Sequence, residues 1–560
     1  MKKCPIILAV SLASLHIACV HSGRVHGSQI DLQTTIKIQA GSIAGLSLGK
    51  GRDVKAYLGI PFAAPPVGDR RWKPPEEVEP WTGVRPCVAY GPSCAQADLS
   101  QHVARPLAGK NSEDCLYLNV WTPANRANAP LPVMVWIHGG GFIGGSGSAE
   151  ESRGESLARK GVVVVTFNYR LGPFGFFAHP LLSAESGHNV SGNYGLLDQI
   201  AALRWIRENI SNFGGDPERV TIFGASAGGV SVCYLLISPL ARGLFQRAIA
   251  ESAIIARPTL HLREAAYGHA SLEKEGEMIA HALNCDREPD PLAALRARRT
   301  DEILAISDPG KRLFVGSGNR FSPAVDGWVV PGDLLTTFAE GTQLSVPLII
   351  GTDADEGSLT FVLRAQATSV EDYKSEVRNW FPEDAEEVLR IYPVSGPADG
   401  RSALSRIQTD CAFAAPARSI AKSVSDTGPK AGAYLYHFTR VRPTEDGLRF
   451  GAFHGSEIPF VFCNLTLKAD MVDELDRDLS TSMSAYWISF AASGNPNRDG
   501  LAEWPPYDDA RRRYLEIGDT IQAKSNLKAE ACDLFDRVAR HQRYSKPGEN
   551  DPPRISVRRR

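Results

Sequence analysis

The stretch R-V-T-I-F-G-A-S-A-G-G, residues 219–229, decides the fold of this chain. Residues 220–223 are β-branched or apolar, which predicts a buried strand, and the mostly apolar residues 230–237 that follow predict a helix. Between the two, G-A-S-A-G fits the G-x-S-x-G pattern of a sharp turn that lifts a serine hydroxyl clear of a sheet. The helix N-terminus after this turn favours developing negative charge. Ser226 is therefore a candidate nucleophile, although the pentapeptide alone is also compatible with an ordinary glycine-rich turn.

A second glycine-rich stretch, H-G-G-G-F at residues 138–142, follows the apolar run L-P-V-M-V-W-I at residues 131–137. Three consecutive glycines allow backbone N–H groups to approach a ligand closely and to point inward. An oxyanion hole requires this arrangement, because the intermediate of acyl transfer carries its negative charge on one oxygen. A flexible loop is the alternative for this stretch alone, but the two glycine motifs in this order are far more specific together. We expect His138 to be structural, since the motif uses glycine amides and not the imidazole.

Further apolar runs alternate with helical patterns along the chain. Residues 161–167 (G-V-V-V-V-T-F) and 346–350 (V-P-L-I-I) are β-branched runs without polar alternation. Such runs are typical of strands buried on both faces in a parallel or mixed sheet. Between them, residues 197–210 place their apolar side chains on one helical stripe. The alternation predicts a single α/β architecture.

The composition excludes several classes of function. Hydrophobic residues make up 43% and charged residues 22% of the 560 residues, which excludes a wholly disordered or fibrous chain. Lys and Arg number 61 against 63 Asp and Glu, so the formal charge is −2 and no basic excess is available to bind nucleic acid. No cluster of His, Cys or Asp has metal-ligand spacing, and no glycine loop is of the phosphate-binding type. We therefore expect neither a metal nor a cofactor.

Residues 1–28 predict an export signal. They begin with a short basic segment, and residues 5–18 are mostly apolar but too few to span about 30 Å of hydrocarbon. Cleavage near Ser22 or Gly27 fits the preference for small residues, and a lipoprotein signal with Cys19 as the lipidated residue is the alternative. We expect the mature protein to be periplasmic or secreted, a location in which disulfides are permitted.

The rest of the chain is predicted to form one domain and a tail. Residues 29–540 contain no segment of 18 uninterrupted apolar residues, so no transmembrane anchor is expected in the mature chain. Residues 541–560 are predicted to be a disordered basic tail. The prediction rests on residues 545–560, which carry three prolines, a terminal triple arginine and almost no apolar residues.

Six ordered blocks give the chain a family resemblance. From about Ala56 to Phe535 it resembles the type-B carboxylesterases of the cholinesterase superfamily, which have the α/β-hydrolase fold. The resemblance implies a large mixed, mostly parallel central sheet flanked by helices. The blocks are A-Y-L-G-I-P-F-A-A-P-P-V-G (56–68), S-E-D-C-L-Y-L-N-V (112–120), N-Y-R-L-G (168–172), N-F-G-G-D-P (212–217), D-E-G (355–357) and H-G-S-E-I-P-F-V-F (454–462).

The resemblance also implies the partners of the nucleophile. A serine esterase needs a base for Ser226 and a carboxylate to orient that base, and the 13 histidines and 63 carboxylates leave both open. By resemblance the acid is Glu356, which precedes a glycine after a buried strand, and the base is His454. Asp353 and Asp355 lie nearby in the sequence and are, by resemblance, surface companions. The order serine, acid, histidine agrees with that of α/β-hydrolases.

The implied activity is hydrolysis of carboxylic esters through an acyl-enzyme. His454 would take the proton of Ser226 as its oxygen attacks the ester carbonyl, and the amides of Gly140, Gly141 and Ala227 would hold the oxyanion. Water would then hydrolyse the acyl-enzyme with the same histidine as base. The implied partner is a small-molecule ester.

The resemblance implies structural pairs as well. Arg71 should pair with Glu113, and Arg170 with Asp198, as buried salt bridges that specify geometry and not activity. The first disulfide of the family corresponds to Cys94 and Cys115.

The other cysteines leave alternatives open. Cys532 resembles one half of a further family disulfide, but Ala415 stands at the partner position, so a bridge to Cys411, one helical turn earlier, is an alternative. Cys285 resembles another half-cystine, with Ala294 where its partner would be. We expect free buried thiols at Cys87, Cys233, Cys285 and Cys463.

Two departures from the family pattern bear on the substrate. Many relatives carry Glu before the nucleophile, whereas this chain has Ala225, which should weaken any preference for cationic substrates. The segment between Cys94 and Cys115 contains no aromatic residue, whereas cholinesterases use a tryptophan there to stack on quaternary ammonium. A choline ester is therefore not expected.

Phe142, Ala225, Arg320 and Phe321 are the candidate substrate-binding residues. Arg320 and Phe321 align near the acyl pocket of the family, and Arg320 could face an acyl group that carries its own carboxylate, as in polycarboxylic esters such as fumonisins. The alternative is that Arg320 points into solvent. Small to medium esters are expected in either case.

Two further functions are compatible with the same residues. The triad could act as an amidase or lactonase. A non-catalytic binding protein on the cholinesterase-like fold is the alternative from another class, but such proteins characteristically lose the serine, which is retained here as Ser226.

Overall fold

The computed structural model describes residues 34–97, 111–125, 129–255, 258–266, 269–306, 321–359, 369–427, 432–465 and 472–544. The predicted signal at 1–28, the candidate Arg320 and most of the predicted tail lie outside the described residues. The last helix, Ala529–Tyr544, extends into the first residues of that tail.

An 11-stranded sheet forms the centre of the molecule. Its strands are β3 (Leu46–Leu48), β4 (Val54–Pro61), β8 (Tyr117–Pro123), β9 (Leu131–Ile137), β10 (Val163–Phe167), β11 (Gly215–Ala225), β12 (Arg247–Glu251), β13 (Leu348–Asp353), β14 (Ala433–Phe438), β15 (Arg513–Ile517) and β16 (Ile521–Ser525). Their order across the sheet is β16-β15-β14-β13-β12-β11-β9-β10-β8-β4-β3. Two small sheets accompany it. One contains β1 (Ile36–Ile38), β2 (Gly41–Ala44) and β5 (Val84–Pro86), and the other contains β6 (Ser93–Cys94) and β7 (Asn111–Ser112).

The middle of the sheet is parallel and its two edges are antiparallel. Seven strands of the middle pair in parallel with one another, in the order β10-β9-β11-β12-β13-β14-β15. The pairs β8–β10, β4–β8, β3–β4 and β15–β16 are antiparallel. This confirms the prediction of a large mixed, mostly parallel sheet.

Alternate residues of the central strands enter two separate cores. In β9, Val133 and Val135 pack into one cluster, while Met134 and Trp136 pack into the other. Helices Tyr194–Asn209 and Ala227–Ile237 supply side chains to the first cluster, and helix Glu474–Ser493 supplies side chains to the second. Because helices cover both faces, the strands can be apolar throughout, as predicted from the runs without polar alternation.

The other helices surround this framework. The remaining α-helices are Glu155–Ala158, Gly172–Phe176, Pro180–Glu185, Leu272–Ala282, Pro291–Ala297, Thr300–Ile306, Leu334–Ala339, Val370–Trp380, Ala385–Ile391, Pro397–Thr409, Ala415–Asp426, Glu445–Phe450 and Ile458–Val461. Short 3-10 helices cover Gly68–Arg70, Glu150–Ser152, Ile210–Phe213 and Pro239–Ala241, and a π-helical segment covers Asp410–Ala414. Among the described residues, the helices are each too short or too polar to cross a bilayer.

The predicted covalent and ionic pairs are confirmed. Cys94 and Cys115 form a disulfide. Arg71 lies 2.5 Å from Glu113, and Arg170 lies 2.8 Å from Asp198; all four side chains are 9% exposed or less.

Among the described residues, six further cysteines are not part of a disulfide. Cys411 and Cys532 are not joined, so the alternative bridge between them is absent among the described residues. Cys87, Cys233 and Cys285 are buried free thiols as expected, whereas Cys463 is only half-buried.

Candidate active site

The candidate nucleophile lies on a strained turn. Ser226 follows β11, precedes helix Ala227–Ile237, and has a φ of 58° and a ψ of −126°, a conformation that non-glycine residues rarely adopt. Its N–H donates to Glu251 O at 3.0 Å, and its carbonyl accepts from Val230 N–H at 2.9 Å. The side chain is half-buried. The turn therefore holds the serine at the carboxyl end of the parallel strand β11, in the context that G-x-S-x-G predicts.

The two glycine motifs pack directly against each other. A Cβ on Gly228 would lie 2.0 Å from the carbonyl oxygen of Ile137, and a Cβ on Gly139 would lie 3.1 Å from Ser226 Cβ. Gly140 has a φ of +112°, and a Cβ there would lie 2.1 Å from Gly144 O. The absence of side chains brings the backbone of the H-G-G-G stretch beside the serine, where its amides can face a substrate oxygen.

His138 belongs to the packing of this loop. Its ring stacks on Tyr169 with the ring centroids 4.4 Å apart, and Tyr169 Oη donates to His138 O at 2.9 Å. Burial lowers the pKa of His138 to about 4, so the ring is neutral at neutral pH. The position agrees with a structural role.

The candidate acid and base lie in contact. Glu356 follows β13 and is buried, and His454 follows helix Glu445–Phe450 beyond the adjacent β14. Glu356 Oε2 lies 2.5 Å from His454 Nδ1, and Glu356 Oε1 accepts from Asp353 N–H at 2.8 Å. A carboxylate in this position fixes the imidazole orientation and leaves Nε2 as the nitrogen for a serine proton. Because β11, β13 and β14 run parallel, their carboxyl ends bring these loops to one edge of the sheet.

A π-helical segment closes one side of the pair. Phe413, in Asp410–Ala414, packs edge to face against His454 with the ring centroids 5.3 Å apart. Thr409 precedes the π-helical segment, and its Oγ1 accepts from the N–H of Gly357 at 3.0 Å. Gly357 is the residue that follows the candidate acid Glu356. Isolated π segments are frequent at functional sites, and this one contacts His454 through Phe413.

The expectation that Asp353 and Asp355 are surface companions is wrong. Asp353 is fully buried at 0% exposure, and its Oδ2 accepts from Gly455 N–H at 3.0 Å. Asp355 is half-buried, and its Oδ2 accepts from Ala452 N–H at 2.9 Å. Both side chains therefore attach the acid loop to the histidine loop and do not project into solvent.

Two further buried acids lie near the pair and were not singled out from the sequence. Glu251 ends β12 and Glu457 lies three residues after His454, and both have 0% exposure. Their electrostatic neighbours include each other, Asp353 and Glu356. The position of Glu457 in the H-G-S-E stretch, three residues after His454, is the sequence feature that could have identified it. Nothing in the local pattern around Glu251 distinguishes it from a strand end that faces solvent.

The predicted pocket residues differ in placement. Phe142 has a φ of 62° and packs edge to face against Phe176 with the ring centroids 5.3 Å apart. Ala225 and Phe321 are buried at 1% and 4% exposure. Phe142 and Ala225 therefore adjoin the glycine loop and the nucleophile, while Arg320 cannot be placed among the described residues.

Comparison with known proteins identifies the family of the chain. The family model described as "Carboxylesterase family" matches residues 32–535. A fumonisin B1 esterase from Sphingopyxis macrogoltabida is 38% identical, with 88% of each chain covered. A para-nitrobenzyl esterase from Bacillus subtilis is 38% identical over 85% of this chain and 94% of its own, and carboxylesterase 1C of Mus musculus is 35% identical over 90% and 91%. The chain therefore belongs to the carboxylesterase family and is a carboxylic ester hydrolase with the α/β-hydrolase fold.

Proposed function

We propose that the enzyme hydrolyses esters through an acyl-enzyme formed on Ser226. The contact of 2.5 Å between Glu356 Oε2 and His454 Nδ1 is the observation that carries the proposal. It holds the imidazole so that Nε2 can take the serine proton, and the carboxylate stabilises the imidazolium that forms. The same imidazole then activates the water that releases the acid.

The amides of Gly140, Gly141 and Ala227 are the donors for the oxyanion. The close approach of the glycine loop to the nucleophilic turn supports this assignment, because a Cβ on Gly139 would lie 3.1 Å from Ser226 Cβ. Fixed donors of this type lower the barrier of acyl transfer, and loss of one typically costs about 100- to 1000-fold in kcat.

Turnover of p-nitrophenyl acetate tests the chemistry. Ser226→Ala removes the nucleophile, and we expect at least a 1000-fold loss of kcat with an unchanged unfolding midpoint. Turnover equal to that of the unmodified enzyme would contradict the acyl-enzyme assignment. Amide and lactone substrates measured in the same series distinguish an esterase from the two related activities.

The proposed substrates are small to medium esters other than choline esters. They include esters whose acyl group carries a carboxylate. Ala225 supports the first part, since it places a methyl group and no negative charge beside the nucleophile. The second part is supported by the similarity to a protein named fumonisin B1 esterase and by the arginine at position 320. A guanidinium is suited to bind a carboxylate through paired hydrogen bonds.

A paired substrate measurement tests the carboxylated acyl group. We compare kcat/KM for butyrate and hemisuccinate esters of one alcohol in the unmodified enzyme, in Arg320→Ala and in Arg477→Ala, a change of an exposed arginine. We expect Arg320→Ala to lower the hemisuccinate-to-butyrate ratio about 10-fold or more, as for loss of a charge-assisted bond. The control should leave the ratio unchanged, and an unchanged ratio in Arg320→Ala would contradict the proposal.

Export to the periplasm or medium is part of the proposed function. The disulfide between Cys94 and Cys115 supports it, since such bonds persist in oxidising compartments.

A further inference from the structure

A buried ion pair holds the first residue of the π-helical segment Asp410–Ala414. Asp410 is 5% exposed, and both oxygens of its carboxylate have a donor from a distant part of the chain. Lys528 Nζ lies 2.6 Å from Asp410 Oδ1, and Tyr392 Oη donates to Asp410 Oδ2 at 2.6 Å. A carboxylate inside the protein is stable only where charge and hydrogen bonds offset its desolvation, and Asp410 has both.

The two donors belong to different helical regions. Tyr392 directly follows helix Ala385–Ile391, and Lys528 directly precedes the last helix, Ala529–Tyr544. Lys528 has a φ of 44°, a left-handed conformation that lysine rarely adopts and that persists only where the surrounding contacts oppose its relaxation. The ion pair with Asp410 is such a contact. We call Asp410, Tyr392 and Lys528 the Asp410 anchor.

The anchored segment carries the ring that packs on the candidate base. The carbonyl of Asp410 accepts from Ala415 N–H, which is the hydrogen bond that closes the π turn, and Phe413 lies within this turn. The ring of Phe413 packs edge to face against His454, with the ring centroids 5.3 Å apart. Asp410 therefore holds one end of a turn whose other side contacts the imidazole.

This contact restricts a motion of the imidazole that the acid alone permits. The hydrogen bond between Glu356 Oε2 and His454 Nδ1 fixes how far the ring lies from the carboxylate, but the ring can still tilt about that bond. The packing of Phe413 against the ring opposes the tilt. Proton transfer requires a close and well-aligned base, so displacements of the ring by a fraction of an ångström lower the rate of the chemical step.

We propose that Asp410, held by Lys528 and Tyr392, is a positioning residue that acts on His454 through Phe413. The proposal rests on the proposed function of His454 as the base. Because the Asp410 anchor orients the base and does not bind the ester, its loss should lower kcat and leave KM nearly unchanged.

A double-mutant cycle on kcat tests whether the Asp410 anchor acts through Phe413. Tyr392→Phe removes one donor and keeps the ring, and Phe413→Ala removes the contact with His454. We expect p-nitrophenyl acetate turnover to fall about 5-fold in Tyr392→Phe and about 10-fold in Phe413→Ala. If both changes act along one path, the double variant loses about 10-fold and not the about 50-fold product of independent effects. A loss equal to the product would overturn the proposal.

Tyr486→Phe separates positioning from stability. Tyr486 is a fully buried tyrosine in another part of the molecule, and its Oη donates to Ala502 O at 2.6 Å. This variant should lower the unfolding midpoint, as Tyr392→Phe should, but keep kcat unchanged. A Tyr392→Phe enzyme with a lower midpoint and unchanged kcat would show that the Asp410 anchor is structural only, which contradicts the proposal.

Lys528 provides a second series. Lys528→Met keeps the length of the side chain and removes the cation, so kcat should fall several-fold, whereas Lys528→Arg keeps the cation and should restore most of kcat. If Lys528→Met does not fold, the cycle of Tyr392 and Phe413 decides. Full turnover by His454→Ala would contradict the proposed function itself. Independent effects in the cycle, with His454→Ala inactive, would contradict only the role of Asp410.

Discussion

Gly228 is a residue at which the nucleophilic turn packs directly against the end of β9, where the glycine loop begins. A Cβ at this position would lie 2.0 Å from the carbonyl oxygen of Ile137, and a backbone atom cannot rotate away as a side chain can. We expect Gly228→Ala to separate the two loops, to destabilise the protein by about 1–3 kcal/mol and to lower kcat more than 10-fold. Thermal unfolding and turnover of p-nitrophenyl acetate measure the two effects.

The matched control is Gly187→Ala. Gly187 is exposed, and a Cβ there would meet no atom within 4 Å. This variant should keep both the unfolding midpoint and the activity. A Gly228→Ala enzyme with unchanged kcat would show that the two loops need not be this close for catalysis.

Single residues of the site differ in how far the sequence predicts them. Ser226 and His454 belong to local patterns, and the structure places both at the carboxyl edge of the parallel strands. For Asp353, the family resemblance implies a surface position, which is wrong. Its Oδ2 accepts from Gly455 N–H, about 100 residues later in the chain, and no local pattern reports such a contact.

At the scale of elements, the π segment Asp410–Ala414 supports the acid loop. It continues helix Pro397–Thr409 into Ala415–Asp426, and its wider turn brings Phe413 against the ring of His454. The sequence T-D-C-A-F-A-A has ordinary helical propensity, so the extra residue in this turn was not predicted. The strands were predicted more completely, because continuous β-branched runs have few alternatives to a strand buried on both faces.

Thr409, at the end of the helix before the π segment, carries a prediction for this element. Its Oγ1 accepts from Gly357 N–H at 3.0 Å and donates to Ser405 O at 3.0 Å. Thr409→Val keeps the shape but leaves the Gly357 N–H without this acceptor, so we expect a loss of about 1–3 kcal/mol in stability. Because Gly357 follows Glu356, kcat should fall several-fold while KM changes little. Denaturant unfolding and steady-state kinetics measure the change.

Thr481→Val provides the comparison. Thr481 is exposed on helix Glu474–Ser493, and its Oγ1 donates only to Arg477 O within the helix. It should alter stability little and kcat not at all. Equal effects of Thr409→Val and Thr481→Val on kcat would show that the contact between Thr409 and Gly357 does not affect catalysis.

At the scale of the whole molecule, the sheet brings distant residues to one edge. Strands β11, β12, β13 and β14 are adjacent and parallel, so Ser226, Glu251, Asp353 and Glu356 share a region although they lie far apart in the sequence. The order of motifs predicts that the chain forms one such sheet. It does not predict how many acids the sheet buries together, because that number depends on which strand ends are adjacent.

The buried acids should therefore affect the stability of the whole protein in a pH-dependent way. Burial raises the pKa of Glu251, while in the unfolded chain the group ionises near its ordinary value of about 4.3. Between these values the folded state holds a proton that the unfolded state releases, so stability falls as pH rises, by about 1.4 kcal/mol per pH unit for each such proton. Glu251→Gln removes this proton and keeps an acceptor for Trp487 Nε1. We expect its unfolding midpoint to exceed that of the unmodified enzyme at about pH 8, with a smaller difference at about pH 5. Glu503→Gln, a change of an exposed glutamate, should show no such change with pH. A difference for Glu251→Gln that stays constant or reverses would mean that Glu251 is ionised in the folded protein.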